Sequence, residues 1–442
     1  MKNFSKIFFL LFLILAGGNS FAQDLLQSGP MVGYSAMREV GLWVQTKSEA
    51  KVKFVYWNVK DTNKKISTKE IITKEEDGFT AKLICDQLEP GQKYNYELYI
   101  NGKKIARPYD LKFQTQKLWQ WRVDPPDFKF ITGSCAYVNE TEYDRPGTPY
   151  GANYEIFSSI YKHNADFMLW LGDNSYLREV DWDSWTGIIK RLTHTRSLPE
   201  LQPILGSMHH YAIWDDHDFG PNNSDRGFFN KDKTLSAFKL FWANPTFNTI
   251  GKSAITTFFQ WGDVDFFLLD DRYYRTPNNR KTGKRTILGD NQIQWLIDNL
   301  TYSNAPFKIV AVGGQFLNPN PEGENFSTYP EEREQILKLI EKEGIEGVIF
   351  LTGDVHRTEL TKMERPDTYP LYDFTISPLT AGTSEVYPND WRIGSTLVNE
   401  RNYALMEISG TRKNRTLKCT VYDSNGIEKW SYSINENELK KR

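Results

Sequence analysis

Between about residues 28 and 117, apolar and polar positions alternate with period two. The stretches 41–46 and 51–57, GLWVQT and KVKFVYW, each place apolar groups on one face, which predicts half-buried strands. Asn101-Gly102 sits between 94–100 and 103–106, and both residue types favour positive φ, so a tight hairpin is predicted there. From about 128 the texture changes. Short apolar runs now alternate with stretches at helical spacing, the pattern of an α/β layered domain. The stretch 290–300 carries Ile293, Leu296, Ile297 and Leu300 on one helical face behind Gly289 and Asp290. A second helix opens at Pro330-Glu331-Glu332, turns Ile336, Leu339 and Ile340 inward and stops near Gly344. A third is predicted over 154–163. The chain has no internal repeat and no low-complexity segment.

These patterns divide the chain. Residues 1–22 read as a signal peptide: Lys2 and Lys6 precede an unbroken apolar run from Ile7 to Ala16, and Ser20-Phe21-Ala22 supplies the small residues of a cleavage point. A membrane anchor needs about 20 apolar residues, so the run predicts export, periplasmic or secreted, rather than anchoring. Residues 23–117 are expected to form a small β-sandwich. The segment 88–96, LEPGQKYNY, resembles the corner of fibronectin type III-like sandwiches, where a tyrosine bonds back to the backbone. Such a module reads as a packing unit or spacer without chemistry. Residues 118–127, with Asp124-Pro125-Pro126-Asp127, form the linker, because paired prolines resist helix and central strand alike. Residues 128–442 are the α/β domain.

Composition narrows the function. With 54 Lys and Arg against 56 Asp and Glu, the formal charge is −2, and it becomes −4 once residues 1–22 are removed. A chain so balanced offers no electrostatic footprint for nucleic acid and no polybasic membrane tether. An anionic substrate must therefore be caught by a local site. Three cysteines are an odd number, so at least one thiol stands outside any internal disulfide.

The chemistry sits where short apolar runs end. Phe130-Ile131-Thr132 leads into Gly133-Ser134-Cys135. The run 167–171 leads into Gly172-Asp173-Asn174-Ser175-Tyr176. Tyr211 to Trp214 leads into Asp215-Asp216-His217-Asp218, and Val348 to Leu351 leads to Gly353-Asp354-Val355-His356. In open α/β sheets, ligands bind beyond the carboxyl ends of the strands, so these endings converge on one crevice. Gathering so many ionisable groups without cations would be very costly.

These four motifs in this order, together with Leu269-Asp270-Asp271-Arg272-Tyr273-Tyr274-Arg275, resemble the calcineurin-like metallophosphoesterase plan and more closely the alkaline phosphatase D (PhoD-like) family. The resemblance runs from about Lys129 to beyond His356. It implies an exported phosphoric ester hydrolase, a phosphatase or phosphodiesterase, that uses a metal-bound hydroxide for in-line attack on phosphorus. Asp173 would bridge two metals. Cys135, Tyr176 and His356 would complete the shell of a ferric ion, and Asp216 and Asp354 are hard donors suited to calcium, one ion or two, with magnesium, manganese or zinc as alternatives. His217 would donate a proton to the leaving alkoxide or hydrogen-bond the phosphoryl oxygen. Asn222 or Asn223 would hold another phosphoryl oxygen, and Arg178 would clamp phosphate bidentately. The partners implied are a small phosphate ester and inorganic phosphate. The pattern departs from the family after His217, where Asp218-Phe219-Gly220-Pro221-Asn222-Asn223 is longer than usual and lacks the common glutamate.

Plainer readings stand beside these. Cys135 is also a candidate for a small buried hydrophobe. Asp215 reads as a carboxylate orienting His217 more readily than as a ligand. Arg272 and Arg275 are expected to pair with Asp270 and Asp271. His163, His194, His209 and His210 read as packing or capping residues, and Cys85 and Cys419 are free to form a disulfide or not. Gly133-Ser134-Cys135 lacks the following glycine of a nucleophile elbow, which argues against a serine hydrolase. The rival functions are a metallohydrolase of another ester class and a non-catalytic, metal-holding binding protein. The stretches 140–152, 219–235, 276–288 and 318–329, rich in Gly, Pro and Asn, are the expected rim of the pocket.

Overall fold

In the computed structural model, which describes residues 24–247, 251 and 254–441, two mixed sheets lie face to face and helices cover their outer sides. The expected signal peptide lies outside the described residues. The first sheet has nine strands, in the order Glu428–Asn435, Thr416–Asp423, Asn402–Ser409, Phe128–Gly133, Phe167–Leu171, His209–Ile213, Leu26–Ser35, Val40–Thr46 and Thr80–Cys85. The second has six: Thr257–Trp261, Val264–Leu268, Lys308–Ala311, Val348–Thr352, Leu371–Thr375 and Glu359–Met363. In each, the central strands run parallel and the flanking pairs antiparallel. Among the described residues, no helix is long and apolar enough to cross a membrane.

Period-two alternation decides which residue meets which layer. Phe167 turns towards the second sheet, where it meets Phe266 at 5.5 Å and Phe259 at 5.8 Å, ring centre to ring centre. The out-of-phase neighbours face the helices: Trp170 meets Phe157 of the helix Glu155–Lys162, and Phe267 meets Trp295 of the helix Asp290–Tyr302. That helix buries Ile293, Leu296, Ile297 and Leu300, the face read from the sequence. The helix Pro330–Lys342 buries Ile336, Leu337 and Ile340, with Leu339 half-buried beside them.

The N-terminal β unit has its own core, in which Val32, Leu42 and Val44 face Phe54, Tyr96 and Leu98. Asn101 (φ 48°) and Gly102 (φ 75°) make the hairpin turn, and the backbone N–H of Glu89 donates to Tyr94 Oη at 2.8 Å in the corner segment. The strand Lys51–Asn58 alternates as predicted, but Val40–Thr46 is buried on both faces. The reason is topological. The strand Leu26–Ser35 pairs with Val40–Thr46 on one side and, through Val32 opposite His209, with the α/β sheet on the other. Trp43 consequently packs into the main core and donates from Nε1 to Leu240 O at 2.9 Å. The unit is spliced into the large sheet, which a detached spacer would not be. The segment after it has no regular structure and is tied to the body, with Pro126 O accepting from Arg415 Nη2 at 2.8 Å.

Candidate metal centre

The carboxyl ends of the strands Phe128–Gly133, Phe167–Leu171, His209–Ile213 and Val348–Thr352 deliver Cys135, Asp173, Asp216 and Asp354 with His356 to one place. Three groups of ligand atoms lie within 4.8 Å of one another: Cys135, Asp173 and His356; Asp173, Asp216 and His217; Asp215, Asp216 and Asp354. Asp173 and Asp216 each belong to two groups, so the three form one chain of overlapping sites. Close backbone approach makes this possible. Gly172 adopts φ 95°, and a Cβ on Gly313 would stand 2.5 Å from the Asp215 carboxylate carbon.

Hydrogen bonds aim each ligand. Asp173 accepts from the His217 backbone N–H at 3.1 Å through Oδ1 and from Cys135 Sγ at 3.6 Å through Oδ2. Asp216 Oδ2 accepts from the Asn223 N–H at 2.6 Å. His356 Nδ1 lies 2.5 Å from Gly382 O and 2.9 Å from Tyr150 Oη. A carbonyl only accepts, so Nδ1 carries the proton and Nε2 keeps its lone pair, 3.2 Å from Tyr176 Oη. Asp218 takes no part as a ligand. It accepts from the N–H groups of Asn174, Ser175 and Asp215 at 3.0–3.2 Å, fixing the Asp173 loop to the short helix Asp216–Phe219.

The charges are unbalanced. Burial, with Asp216 beside it, pushes the Asp173 carboxyl well above the usual range, and burial raises Asp354 to about 7. Asp216 is buried too, yet His217 and Arg272 hold it down to about 2. Burial lifts the Cys135 thiol to about 11 and raises the Tyr176 phenol well above its usual range, and it lowers His356 towards the neutral form. Asp215 Oδ2, Asp216 Oδ1 and His217 Nδ1 are buried without a hydrogen-bond partner. Orphaned acceptors and crowded acids are what multivalent cations compensate, and the donor set fits them: a thiol, a phenol and an imidazole at one end, carboxylates at the other.

Most of the sequence-predicted residues meet here, and some do not. Arg178 is turned away: its guanidinium is spent on Asp144 (2.8 Å), Val138 O (2.9 Å) and Tyr176 O, and it lies over the Tyr137 ring. It braces the tyrosine loop, and with Nε, both Nη2 hydrogens and one Nη1 hydrogen engaged it lacks the two free donors of a bidentate phosphate clamp. Asn222 and Asn223 are exposed at the mouth, joined by Asn222 Nδ2 to Asn223 Oδ1 at 2.9 Å. Asp215 hydrogen-bonds Arg272 Nε instead of orienting His217. Arg272 and Arg275 converge on Glu324, at 2.7 and 3.2 Å; Arg272 also has Asp271 at 3.9 Å, as expected, whereas Asp270 accepts from Trp214 Nε1 and backbone N–H groups. Glu324 lies within the 318–329 rim, yet no motif marked it. Tyr150 is a second functional candidate without a sequence signal, a rim tyrosine laid on His356 and edge-on to Tyr137. His163, His194, His209 and His210 are held by internal hydrogen bonds. Cys85 and Cys419 are free thiols in separate cores.

Comparison with known proteins follows the same lines. A family model described as PhoD-like phosphatase matches residues 130–432, and one described as a domain of unknown function (DUF7800) matches residues 23–118. Alkaline phosphatase D of Bacillus subtilis (strain 168) is 24% identical over 314 residues, 62% of this chain. This chain spans about half, 52%, of that relative's length. Among solved structures, that of PhoD superimposes with a TM-score of 0.77 at 18% identity, covering 95% of this chain and 92% of the other. The purple acid phosphatase PPD1 from yellow lupin (Lupinus luteus) seeds gives 0.67 at 11% identity, covering 93% and 75%. At such identities the likeness is one of fold, and it is the layered α/β fold with the two sheets described above.

Proposed function

The chain belongs to the PhoD-like phosphatase family, and on that premise we propose that it is an exported, metal-dependent hydrolase of phosphoric esters, with monoesters, diesters or both as substrates. The observation that carries this reading is the run of three overlapping ligand groups sharing Asp173 and Asp216. Cys135, Tyr176, His356 and Asp173 would hold ferric iron, and Asp173, Asp216 and Asp354 would hold calcium, with magnesium, manganese or zinc as substitutes. Such cations supply an activated water and neutralise charge on the phosphoryl group.

The chain's own residues do the rest. Asp173 fixes the backbone of His217, so the imidazole is carried on the same loop that sets the ligand spacing. His217 packs against Tyr176, ring centres 4.2 Å apart and tilted by 33°, and its side chain is about one-fifth exposed, so it borders the opening. From there it donates to a phosphoryl oxygen or to the departing alkoxide, help typically worth about 10² to 10⁴ in rate. Asn223, whose backbone N–H holds Asp216, and Asn222 beside it are the candidates to hold another phosphoryl oxygen. Export rests on the lysine-flanked apolar run and small-residue cleavage point of residues 1–22.

The test compares an aryl phosphomonoester, an aryl phosphodiester and an aryl sulfate under equal conditions, beside elemental analysis. Turnover of a phosphate ester, lost with chelator and reduced at least a thousandfold in a folded Asp173→Ala variant, is expected. Full activity in that variant, or preference for the sulfate, would overturn the reading. An active but colourless, iron-free protein would remove the iron assignment alone.

A further inference from the structure

Arg272 is a cation buried among the acids of this centre, 0% exposed. Its Nε hydrogen-bonds Asp215 Oδ1, and its Nη1 hydrogen-bonds Glu324 Oε2 at 2.7 Å. Its Nη2 has no hydrogen-bond partner and lies 3.9 Å from Asp216 Oδ1, itself without one. Glu324 enters from the rim and divides its carboxylate. One oxygen takes Arg272, and the other takes Arg275 at 3.2 Å and Asn278 at 2.7 Å. A positive charge thus stands against Asp215 and Asp216, where a divalent cation would bind, while Glu324 and Asp271, the latter 3.9 Å from Nε, draw on the same guanidinium.

We propose that Arg272 is a fixed counter-cation of the Asp215, Asp216 and Asp354 group, and that Glu324 limits how much of its charge the group feels, so that the pair sets that group's affinity for a divalent cation. The inference rests on the metal-dependent reading above and deepens it. Carboxylates already compensated by a guanidinium attract a second cation less, and the two positive charges repel at short range in a medium that screens poorly. Glu324 offsets that repulsion because it is ionised, mostly shielded from water and hydrogen-bonded to the same guanidinium. Arg272 and Glu324 are therefore positioning residues with effects of opposite sign. Loss of Glu324's charge weakens cation binding; loss of Arg272's charge strengthens it. Parts serving the fold alone would both weaken it.

The experiment is calorimetric titration of calcium into the chelator-treated full protein, with the calcium-induced rise in Tm as a second readout. Glu324→Gln keeps an acceptor for Arg272 and is expected to raise the calcium Kd at least fivefold. Arg272→Gln is expected to lower it by a similar factor and to enlarge the Tm rise. Should Arg272→Gln fail to fold, Arg275→Gln carries the same sign, because it leaves Glu324 wholly to Arg272. Equal weakening in both kinds of variant, or no change in Glu324→Gln, overturns the proposal and leaves a calcium-binding hydrolase intact. A wild-type protein that binds neither calcium nor magnesium, manganese or zinc overturns both.

Discussion

Acid should weaken the seam that joins the N-terminal β unit to the large sheet. His209 and His210 are both buried there. His209 Nδ1 donates to Gly33 O at 2.7 Å, and Nε2 accepts from the Gln114 N–H at 3.2 Å, so a single neutral tautomer serves two segments of the N-terminal unit. His210 takes the Trp170 indole N–H at 3.0 Å and donates to Ile204 O at 3.0 Å. A second proton on either ring would set donor against donor. Burial accordingly pulls His209 down to about 4 and His210 to about 3, from an ordinary value near 6.5. Because the folded values lie below the unfolded one, the stability is complete above pH 6.5 and is lost as the pH falls towards the folded values, where the unfolded chain alone binds the protons. Each histidine then costs about 1.4 kcal/mol per pH unit, or about 2.7 kcal/mol between pH 6.5 and 4.5. The pair together amounts to about 5 kcal/mol, a large share of an ordinary domain stability of roughly 5–15 kcal/mol. Urea unfolding followed by tryptophan fluorescence from pH 4.5 to 8 measures this directly. His209→Gln, which keeps a donor and an acceptor but does not titrate, should flatten the acid limb by about 1.4 kcal/mol per pH unit. Parallel curves for variant and wild type would refute the reasoning.

Two further perturbations address the metal centre. Gly313→Ala places a methyl group 2.5 Å from the Asp215 carboxylate carbon, and overpacking of this kind typically costs about 1–3 kcal/mol; a lower Tm and a weakened calcium isotherm are expected, and an unchanged Asp215 site would count against the packing argument. Tyr150→Phe removes the hydroxyl on His356 Nδ1 but leaves Gly382 O to hold the ring, so kcat should fall about tenfold, the low end for an outer partner of a ligating histidine, with KM unchanged.

The convergence of the candidate ligands was legible because each follows a short apolar run that ends in glycine or a small polar residue, and that punctuation survives whatever the loops do. The helices at 290–302 and 330–342 were legible for the same reason: one face is buried and one is wet. Legibility ended where residues act through partners far away in the chain. Arg178 sits beside a ligand motif and reads as a clamp, but Asp144, 34 residues earlier, takes its guanidinium. Glu324 is an acid in a Gly- and Asn-rich loop, and its value comes from Arg272, 52 residues away. The strand Val40–Thr46 shows alternation but is covered on both faces, because its neighbour Leu26–Ser35 also pairs with the strand His209–Ile213. Periodicity reports the faces of one strand; it does not report what a sheet edge is joined to.

The backbone adds evidence that composition could not. Eleven non-glycine residues have positive φ among the described residues, and five of them are Cys135, Asp173, Asn223, Asp354 and His356. Left-handed backbone costs an L-residue roughly 1–2 kcal/mol at each position, and glycine would avoid that cost but supply no ligand. Strain of this kind persists only where the surroundings over-determine it. Here they do: Asp218 ties down the loop after Asp173, Ser377 Oγ accepts the His356 N–H at 3.1 Å, and the Ala136 N–H reaches Asp173 O at 2.8 Å. Strain and raised carboxyl values coincide at Asp173 and Asp354, and the orphaned acceptors lie beside them on Asp215 and Asp216. Without cations, the chain holds these groups together against both its backbone and its charges, and cation binding at this candidate centre would relieve that opposition.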